Sequence, residues 1–124
     1  MTLPYGATVL EHFRRPRNHR ALERASIARE GYNPLCGDRV RIELDVADAT
    51  IRAAAFTANA CAICTASASL LTERVTGLST ARAAEISDDE VVGALKAEIP
   101  AARRMCAILP VRALREALAG LGSS

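Results

Sequence analysis

Four cysteines and one aspartate are the residues of this sequence whose chemistry points to a function. The cysteines are Cys36, Cys61, Cys64 and Cys106, and Asp38 lies two residues after the first of them. Thiolates are soft ligands that suit Zn²⁺ and iron–sulfur clusters, and they are also the form of cysteine that attacks sulfur. In a reducing cytosol these cysteines are expected to bind metal or react as thiols rather than form structural disulfides.

Some of these residues have simpler interpretations. Cys61 and Cys64 form a C-x-x-C pair, which alone is compatible with a redox pair or with half of a zinc site. The βαβ pattern of thioredoxin-like proteins does not surround the pair, which disfavours the redox role. Cys64 lies one helical turn from Cys61, so we interpret it as a packed small residue, with a spare ligand or a sulfur relay as alternatives. Asp38 could also be an ordinary turn residue before a strand.

A hairpin is the clearest structural prediction. Residues Val40 to Val46 alternate between apolar and charged types, which is typical of a strand with one buried face. Residues Thr50 to Thr57 are predicted as the returning strand after a short turn. Because the start of one strand lies beside the end of the other, we expect Cys36 and Cys61 to be neighbours. Gly31 and the Asn33-Pro34 pair predict a turn before the hairpin.

Helices are predicted on both sides of this hairpin. They are Ala7 to Phe13, a helix that begins at Cys61 and stops near Gly77, Asp88 to Ala97 with Ser87 as N-cap, and Cys106 to Leu118 with Pro110 in its first turn. A helix N-terminus favours an anion, so we expect Cys61 and Cys106 to have lowered thiol pKa values.

The composition narrows the class of protein. The 124 residues suit one domain, residues 1–124, of the α+β class, with a small antiparallel sheet packed against several helices. The formal net charge of +2 gives no electrostatic reason to expect nucleic acid or a membrane surface as a partner. No stretch has the length and apolar character of a membrane span or of a secretory signal, so we predict a cytoplasmic protein.

Four motifs follow one another along the chain. They are E-H-F-R-R-P-R-N at residues 11–18, N-P-L-C-G-D at 33–38, C-A-I-C-T-A-S-A-S at 61–69 and C-A-I-L at 106–109. In this order they resemble the iron–sulfur cluster assembly scaffolds, the family of IscU, SufU and the NifU N-terminal domain. The resemblance extends from about Val9 to Leu118 and implies an IscU/NifU-N-like fold with about three strands.

The resemblance also implies a site and a function. The family's ligands fall on Cys36, Asp38, Cys61 and Cys106, which would hold a transient [2Fe–2S] cluster or Zn²⁺. Sulfur would arrive as persulfide from a cysteine desulfurase, with Cys36, Cys61 and Cys106 as candidate acceptors. The cluster would then pass to iron–sulfur acceptor proteins. The protein would be a non-enzymatic scaffold, monomeric or weakly homo-oligomeric, and a carboxylate among the ligands suits a cluster that must be released.

The sequence departs from the family at several positions. Many IscU-type scaffolds have His immediately before the third cysteine, where this chain has Met105. SufU-type proteins also lack that His, but they carry an insertion between the second and third cysteines that is missing here. The alternative function is therefore a SufU-like zinc-dependent sulfurtransferase that accepts persulfide and activates the desulfurase. The chaperone-docking Leu-Pro-Pro-Val-Lys of IscU proteins is matched only in part by residues 99–103.

Other polar groups admit two interpretations each. His12 and His19 are potential ligands, although His12 belongs to the first motif and we predict a structural role for it. A cluster of arginines follows the first helix and is either a solvated edge or a docking patch for an acidic partner; it consists of Arg14, Arg15, Arg17 and Arg20. Tyr5 has the spacing seen in IscU proteins, which suggests a dimer contact.

Overall fold

The computed structural model describes residues 6–122, so Tyr5 and its suggested contact lie outside the described residues. The elements in chain order are α1 (Gly6–Arg14), β1 (Ile27–Asn33), β2 (Asp38–Ala47), β3 (Thr50–Asn59), α2 (Ala62–Val75), α3 (Thr80–Ala84), α4 (Asp88–Ala94) and α5 (Arg104–Gly122). One turn of 3₁₀ helix, Ala101–Arg103, precedes α5. No helix within residues 6–122 is long and apolar enough to cross a membrane.

The three strands form an antiparallel sheet in the order β1-β2-β3, which confirms the predicted α+β class and strand number. The alternation in β2 buries Val40, Ile42 and Leu44, as predicted, but Val46 is only half-buried and Glu43, which was expected on the exposed face, is buried. Asp48 and Ala49 both have positive φ, 53° and 58°, and they form the two-residue turn to β3. This hairpin brings the start of β2 beside the end of β3.

The first strand differs from the prediction. Gly31 was expected in a turn, but it lies inside β1 and pairs with Val40 of β2. The reason for the glycine is the close approach of α5. A Cβ at Gly31 would lie 3.1 Å from two side-chain carbon atoms of Leu109. The predicted turn is confined to residues 34–37.

The long helices cover one face of the sheet. Helix α5 packs against β1, β2 and α2, and α2 also contacts β3 and α1. The apolar residues between these layers form the core, with Phe56 and Leu114 fully buried. The cysteines therefore lie at the ends of elements that a common core holds together.

Helices α4 and α5 differ in their bounds from the prediction, and the short helix α3 was not predicted. Helix α4 begins at its predicted Ser87 N-cap, where a capping box with Glu90 is present, but it ends at Ala94 because Lys96 turns to φ 52°. Helix α5 begins at Arg104, two residues earlier than predicted, so Pro110 lies inside the helix rather than in its first turn. A proline at this position removes the amide that would bond to the carbonyl of Cys106.

Candidate metal centre

Three chain segments meet at one edge of the sheet and bring the predicted site residues together. The turn at residues 34–37 carries Cys36, the first residue of β2 is Asp38, and the first turn of α5 carries Cys106. Potential ligand atoms of these three residues all lie within 4.8 Å of one another. They could hold one metal ion.

The two sulfur atoms in this group are close together. Sγ of Cys36 lies 3.4 Å from Sγ of Cys106, a contact between residues that are 70 positions apart in the chain. Cys36 is exposed, whereas Cys106 is fully buried. The site thus pairs a cysteine at the surface with a cysteine in the interior.

Cys61 enters the site through Asp38. Its backbone N–H donates to Oδ1 of Asp38 over 3.1 Å. Cys61 is partly exposed, and it is not among the three residues whose ligand atoms lie within 4.8 Å of one another. Cys61 therefore lies beside Asp38 and Cys106, the two residues that are grouped with Cys36.

The carboxylate of Asp38 is buried, with 4% of its surface exposed. Oδ2 of Asp38 has no hydrogen-bond partner among the described residues. Burial acts to raise the pKa of this carboxyl group, but the Cys106 and Cys61 thiols and the Cys61 amide outweigh burial and hold the pKa below its usual range. The group is thus an anion with one unused oxygen.

The cysteine pKa values differ from the expectation. Burial raises the pKa of the Cys61 thiol; the amide of Cys64 acts in the opposite direction, and the Asp38 carboxylate adds to the rise. Burial also raises the pKa of Cys106, again with Asp38 contributing. The helix N-termini do not dominate here, because burial and a neighbouring anion both favour the protonated thiol.

The other candidate ligands have different surroundings. Cys64 is fully buried in the core, as expected for a packed small residue, and burial raises its pKa strongly. His12 is buried and its Nδ1 lies 2.7 Å from Oγ of Ser69 in α2. His19 stacks on Phe56 with ring centroids 4.8 Å apart. Both histidines thus have structural contacts.

Asn33 is a residue of the site that the sequence interpretation treated only as a turn signal. It is buried, its Oδ1 accepts from the N–H of Leu35 over 3.1 Å, and its carbonyl accepts from the N–H of Gly37 over 2.8 Å. Gly37 has φ 74°, a conformation that favours glycine. Asn33 and Gly37 together fix the turn that presents Cys36. An Asn-Pro pair before a cysteine is the signal that could have indicated this role.

The donor set fits a metal ion chemically. Thiolate sulfur suits Zn²⁺ and iron–sulfur clusters, and a carboxylate oxygen is a harder and weaker partner for them. The buried Oδ2 of Asp38 lacks a donor, and a buried acceptor without a partner is costly in a protein interior. A cation bound between this oxygen and the sulfurs would satisfy it.

The fold agrees with what comparison with known proteins shows. Residues 4–121 match the family described as NifU-like N terminal domain. The chain therefore belongs to this family, which includes the iron–sulfur cluster assembly scaffolds.

Several known proteins are similar in sequence to this chain. The chain is 34% identical over 114 residues to the iron–sulfur cluster assembly scaffold protein IscU 1 of Archaeoglobus fulgidus, covering 92% of this chain and 74% of the relative. It is 31% identical over 122 residues to IscU of Haemophilus influenzae, covering 94% of each. It is also 36% identical over 114 residues to the bifunctional protein NifU/MnmA of Rubrobacter xylanophilus, of which it spans only 23% while 91% of this chain is covered.

One solved structure and one further relative complete the comparison. The crystal structure of the N-terminal part of a nitrogen-fixing NifU-like protein from Brucella abortus superposes with a TM-score of 0.80, covering 98% of this chain and 96% of the other. At 19% identity this likeness shows the fold alone. The zinc-dependent sulfurtransferase SufU of Bacillus subtilis is 34% identical over 73 residues, 59% of this chain and 49% of the relative.

Proposed function

We propose that this protein is a scaffold that accepts sulfur from a cysteine desulfurase, assembles a [2Fe–2S] cluster and passes it to acceptor proteins. The proposed ligands are Cys36, Asp38, Cys61 and Cys106. The observation that carries the proposal is the gathering of Cys36, Asp38 and Cys106 within 4.8 Å of one another. This group combines two soft donors with one harder donor at a site that solvent reaches.

Cys61 is the proposed third sulfur ligand. Its N–H already bonds to Oδ1 of Asp38, so its backbone is fixed beside the site. It occupies the N-cap position of α2, where a rotation about one side-chain bond redirects the thiol without moving the helix. Metal binding would thus draw the thiol of Cys61 toward the two sulfurs that already meet.

Asp38 is the ligand whose bond to the metal is proposed to break first when the cluster leaves the scaffold. An iron or zinc ion prefers the thiolates to the oxygen of a carboxylate, so the bond to Asp38 is expected to exchange fastest. A scaffold needs such a bond because the cluster must leave for an acceptor. The buried and unpartnered Oδ2 of Asp38 supports this role.

Cys36 is the proposed entry point for sulfur. It is exposed, and the neighbouring Leu35 is 91% exposed, so another protein can approach this turn. Cys106 is fully buried and a bulky persulfide-bearing loop would reach it only after Cys36. Attack by the Cys36 thiolate on the outer sulfur of a desulfurase persulfide would transfer that sulfur.

A second function is favoured by one residue. Met105 stands where many IscU-type scaffolds have His, and it is 37% exposed beside Cys106. A site of three cysteines and one aspartate without His is a set that Zn²⁺ accepts readily. The alternative is thus a zinc-dependent sulfurtransferase, in which zinc organises the site and one cysteine carries persulfide.

Anaerobic reconstitution tests the proposed function. The purified protein is incubated with ferrous iron, L-cysteine and a cysteine desulfurase, and the visible absorption of a [2Fe–2S] cluster and its transfer to an apo-ferredoxin are recorded. Substitution of Cys36, Cys61 or Cys106 by serine should abolish the colour. Cys64→Ala is the matched control, since its thiol is buried in the core, and it should retain the cluster.

The two functions give different results in this assay. A scaffold acquires a transferable cluster, whereas a sulfurtransferase retains zinc, raises desulfurase turnover and acquires no cluster. If all three serine variants kept the wild-type metal content, the ligand assignment would be wrong for both functions.

A further inference from the structure

The two cysteines whose sulfur atoms meet in the site differ in their exposure. Cys36 is exposed in its turn, whereas Cys106 is fully buried in α5, and their sulfur atoms are 3.4 Å apart. Any sulfur added to Cys36 from solvent is therefore placed directly against a second, protected thiol. Such a pair of thiols can take part in thiol–disulfide chemistry as well as bind a metal.

The two sulfur atoms are in van der Waals contact and are not bonded to each other. A disulfide has an S–S length of about 2.05 Å, so the sulfurs need to approach each other by only about 1.4 Å. Asn33 holds the backbone of the turn that carries Cys36, but the solvent side of this turn has open space for such a movement. Leu35 is 91% exposed, and no heavy atom lies within 4 Å of a Cβ built on Gly37.

We propose that, in the metal-free protein, Cys36 and Cys106 act as a dithiol that releases sulfide from a persulfide on Cys36. This inference rests on the proposed acceptance of sulfur by Cys36. It adds an activity, because the protein itself reduces the sulfur that it receives.

The reaction has two steps that balance without a further reagent. In the first, the sulfur of Cys36 attacks the outer sulfur of a donor persulfide, the donor S–S bond breaks, and the donor leaves as a thiol. In the second, the sulfur of Cys106 attacks Sγ of Cys36 and breaks the bond to the outer sulfur. That sulfur takes the proton of the Cys106 thiol and leaves as hydrogen sulfide, while a Cys36–Cys106 disulfide forms.

The electrons for this release come from the two cysteines. The outer sulfur of a persulfide is at the oxidation level of elemental sulfur, and a cluster needs it as sulfide. The dithiol loses two electrons and the outer sulfur gains them. A thiol or dithiol reductant must then reopen the disulfide before the site can bind metal, so sulfide release and metal binding alternate.

Cys106 could attack either sulfur of the Cys36 persulfide. The sulfur that it attacks decides whether sulfide is released or the persulfide only moves to Cys106. If Cys106 attacked the outer sulfur instead, the persulfide would move to Cys106 and neither sulfide nor a disulfide would appear. The 3.4 Å contact is with Sγ of Cys36, the inner sulfur of the persulfide, and this favours sulfide release.

A chemically loaded persulfide tests the proposal without a desulfurase. Metal-free, reduced full-length protein is treated briefly with glutathione persulfide under anaerobic conditions and freed of the donor by gel filtration. Released sulfide and the intact mass are then followed with time. Trypsin places the cysteines in separable peptides, residues 30–39 for Cys36, 53–74 for Cys61 and Cys64, and 105–112 for Cys106. Non-reducing digestion after alkylation therefore identifies the bonded pair.

We expect the wild-type protein to release one sulfide per loaded sulfur and to link peptide 30–39 to peptide 105–112. Cys106→Ser should keep its persulfide on peptide 30–39 and release sulfide more than about tenfold more slowly, because the intramolecular attack is lost. Cys64→Ala removes a core thiol outside the pair and should behave like the wild type. If Cys106→Ser fails to fold, the wild-type peptide map still shows whether Cys36 and Cys106 form the disulfide.

Three results would overturn the inference: persulfide on peptide 105–112 without sulfide, a link that involves peptide 53–74, or equal release from the wild type and Cys106→Ser. Failure to load Cys36 at all would also overturn it. None of these outcomes affects metal binding by the four proposed ligands, which the reconstitution measures separately. Conversely, a protein that releases sulfide but acquires no metal would support this inference and contradict the proposed function.

Discussion

The backbone N–H of Cys61 donates to Oδ1 of Asp38 over 3.1 Å, and this bond joins the start of α2 to the start of β2. The same carboxylate leaves Oδ2 buried and without a partner among residues 6–122. Asp38 thus uses one oxygen to position a proposed ligand and has the other available for a cation.

Asp38→Ala is predicted to slow cluster transfer. The substitution removes the oxygen ligand that exchanges most readily and leaves the more tightly bound sulfurs. Transfer of a reconstituted cluster to an apo-ferredoxin, followed by circular dichroism, measures the effect. Glu30→Ala is the matched control, because Glu30 is a surface carboxylate on the neighbouring strand that pairs with Arg39. A transfer rate from Asp38→Ala that equalled or exceeded the wild-type rate would count against a release role.

Zinc binding is predicted to release protons and to strengthen as pH rises. Burial raises the pKa of both Cys61 and Cys106, so these thiols are protonated at neutral pH in the metal-free protein. Zinc binds the thiolate form, and binding must therefore displace about two protons per ion from these two groups. Calorimetry in buffers of different ionisation enthalpy counts the protons. Affinity that did not change with pH would contradict the assignment of these thiols as ligands.

Asn33 is predicted to position Cys36 through the turn. Asn33→Ala removes the acceptor for the Leu35 N–H, so the turn loses its fixed shape and Zn²⁺ affinity should fall by about tenfold. Asn33→Asp retains an oxygen at the same position and should bind zinc at least as well as the wild type. Competition with a chromophoric chelator measures both variants. Equal affinities for Asn33→Ala and the wild type would show that the turn needs no support from this side chain.

His12 is predicted to make stability depend on pH. Burial lowers the pKa of His12, and the Arg17 cation lowers it further. The folded state therefore favours the neutral ring, and the unfolded state binds the proton more readily. The contribution of His12 is fully present above its unfolded pKa of about 6.5 and is lost as pH falls below that value toward the lower folded pKa.

Urea unfolding of the metal-free protein at about pH 7.5 and about pH 5.5 measures this contribution. His12→Gln cannot take up the proton, so its free energy of unfolding should decrease less than that of the wild type between the two conditions. An equal decrease in both proteins would mean that His12 does not titrate in this range.

Much of the fold could be predicted because its signals are local. The alternation from Val40 to Val46, the turn before Thr50 and the capping serine Ser87 each determine a structure within a few residues. The parts of the fold that the sequence did not predict correctly depend on tertiary contacts. Strand β1 packs beneath α5 without a regular alternation of buried and exposed residues, and its Gly31 lies against Leu109 rather than in a turn.

The candidate site was predictable in its members but not in its geometry. The motif N-P-L-C-G-D and the two later cysteine segments indicate which residues take part. They do not indicate that Cys106 lies against Cys36 or that Cys61 is joined through Asp38, because these distances depend on how α5 packs across the sheet. The raised thiol pKa values were missed for the same reason, since burial outweighs the helix N-terminus only once the site is closed by the fold.

X-ray absorption spectroscopy of the zinc-loaded protein tests the central claim most directly. With Cys36, Cys61, Cys106 and Asp38 as ligands, the spectrum should require three sulfur scatterers at about 2.3 Å and one oxygen at about 2.0–2.2 Å. Cys61→Ser should reduce the sulfur count by one, while Cys64→Ala should leave the spectrum unchanged. A wild-type site with two sulfurs or fewer would contradict the account, because the thiol of Cys61 would then not join the pair formed by Cys36 and Cys106.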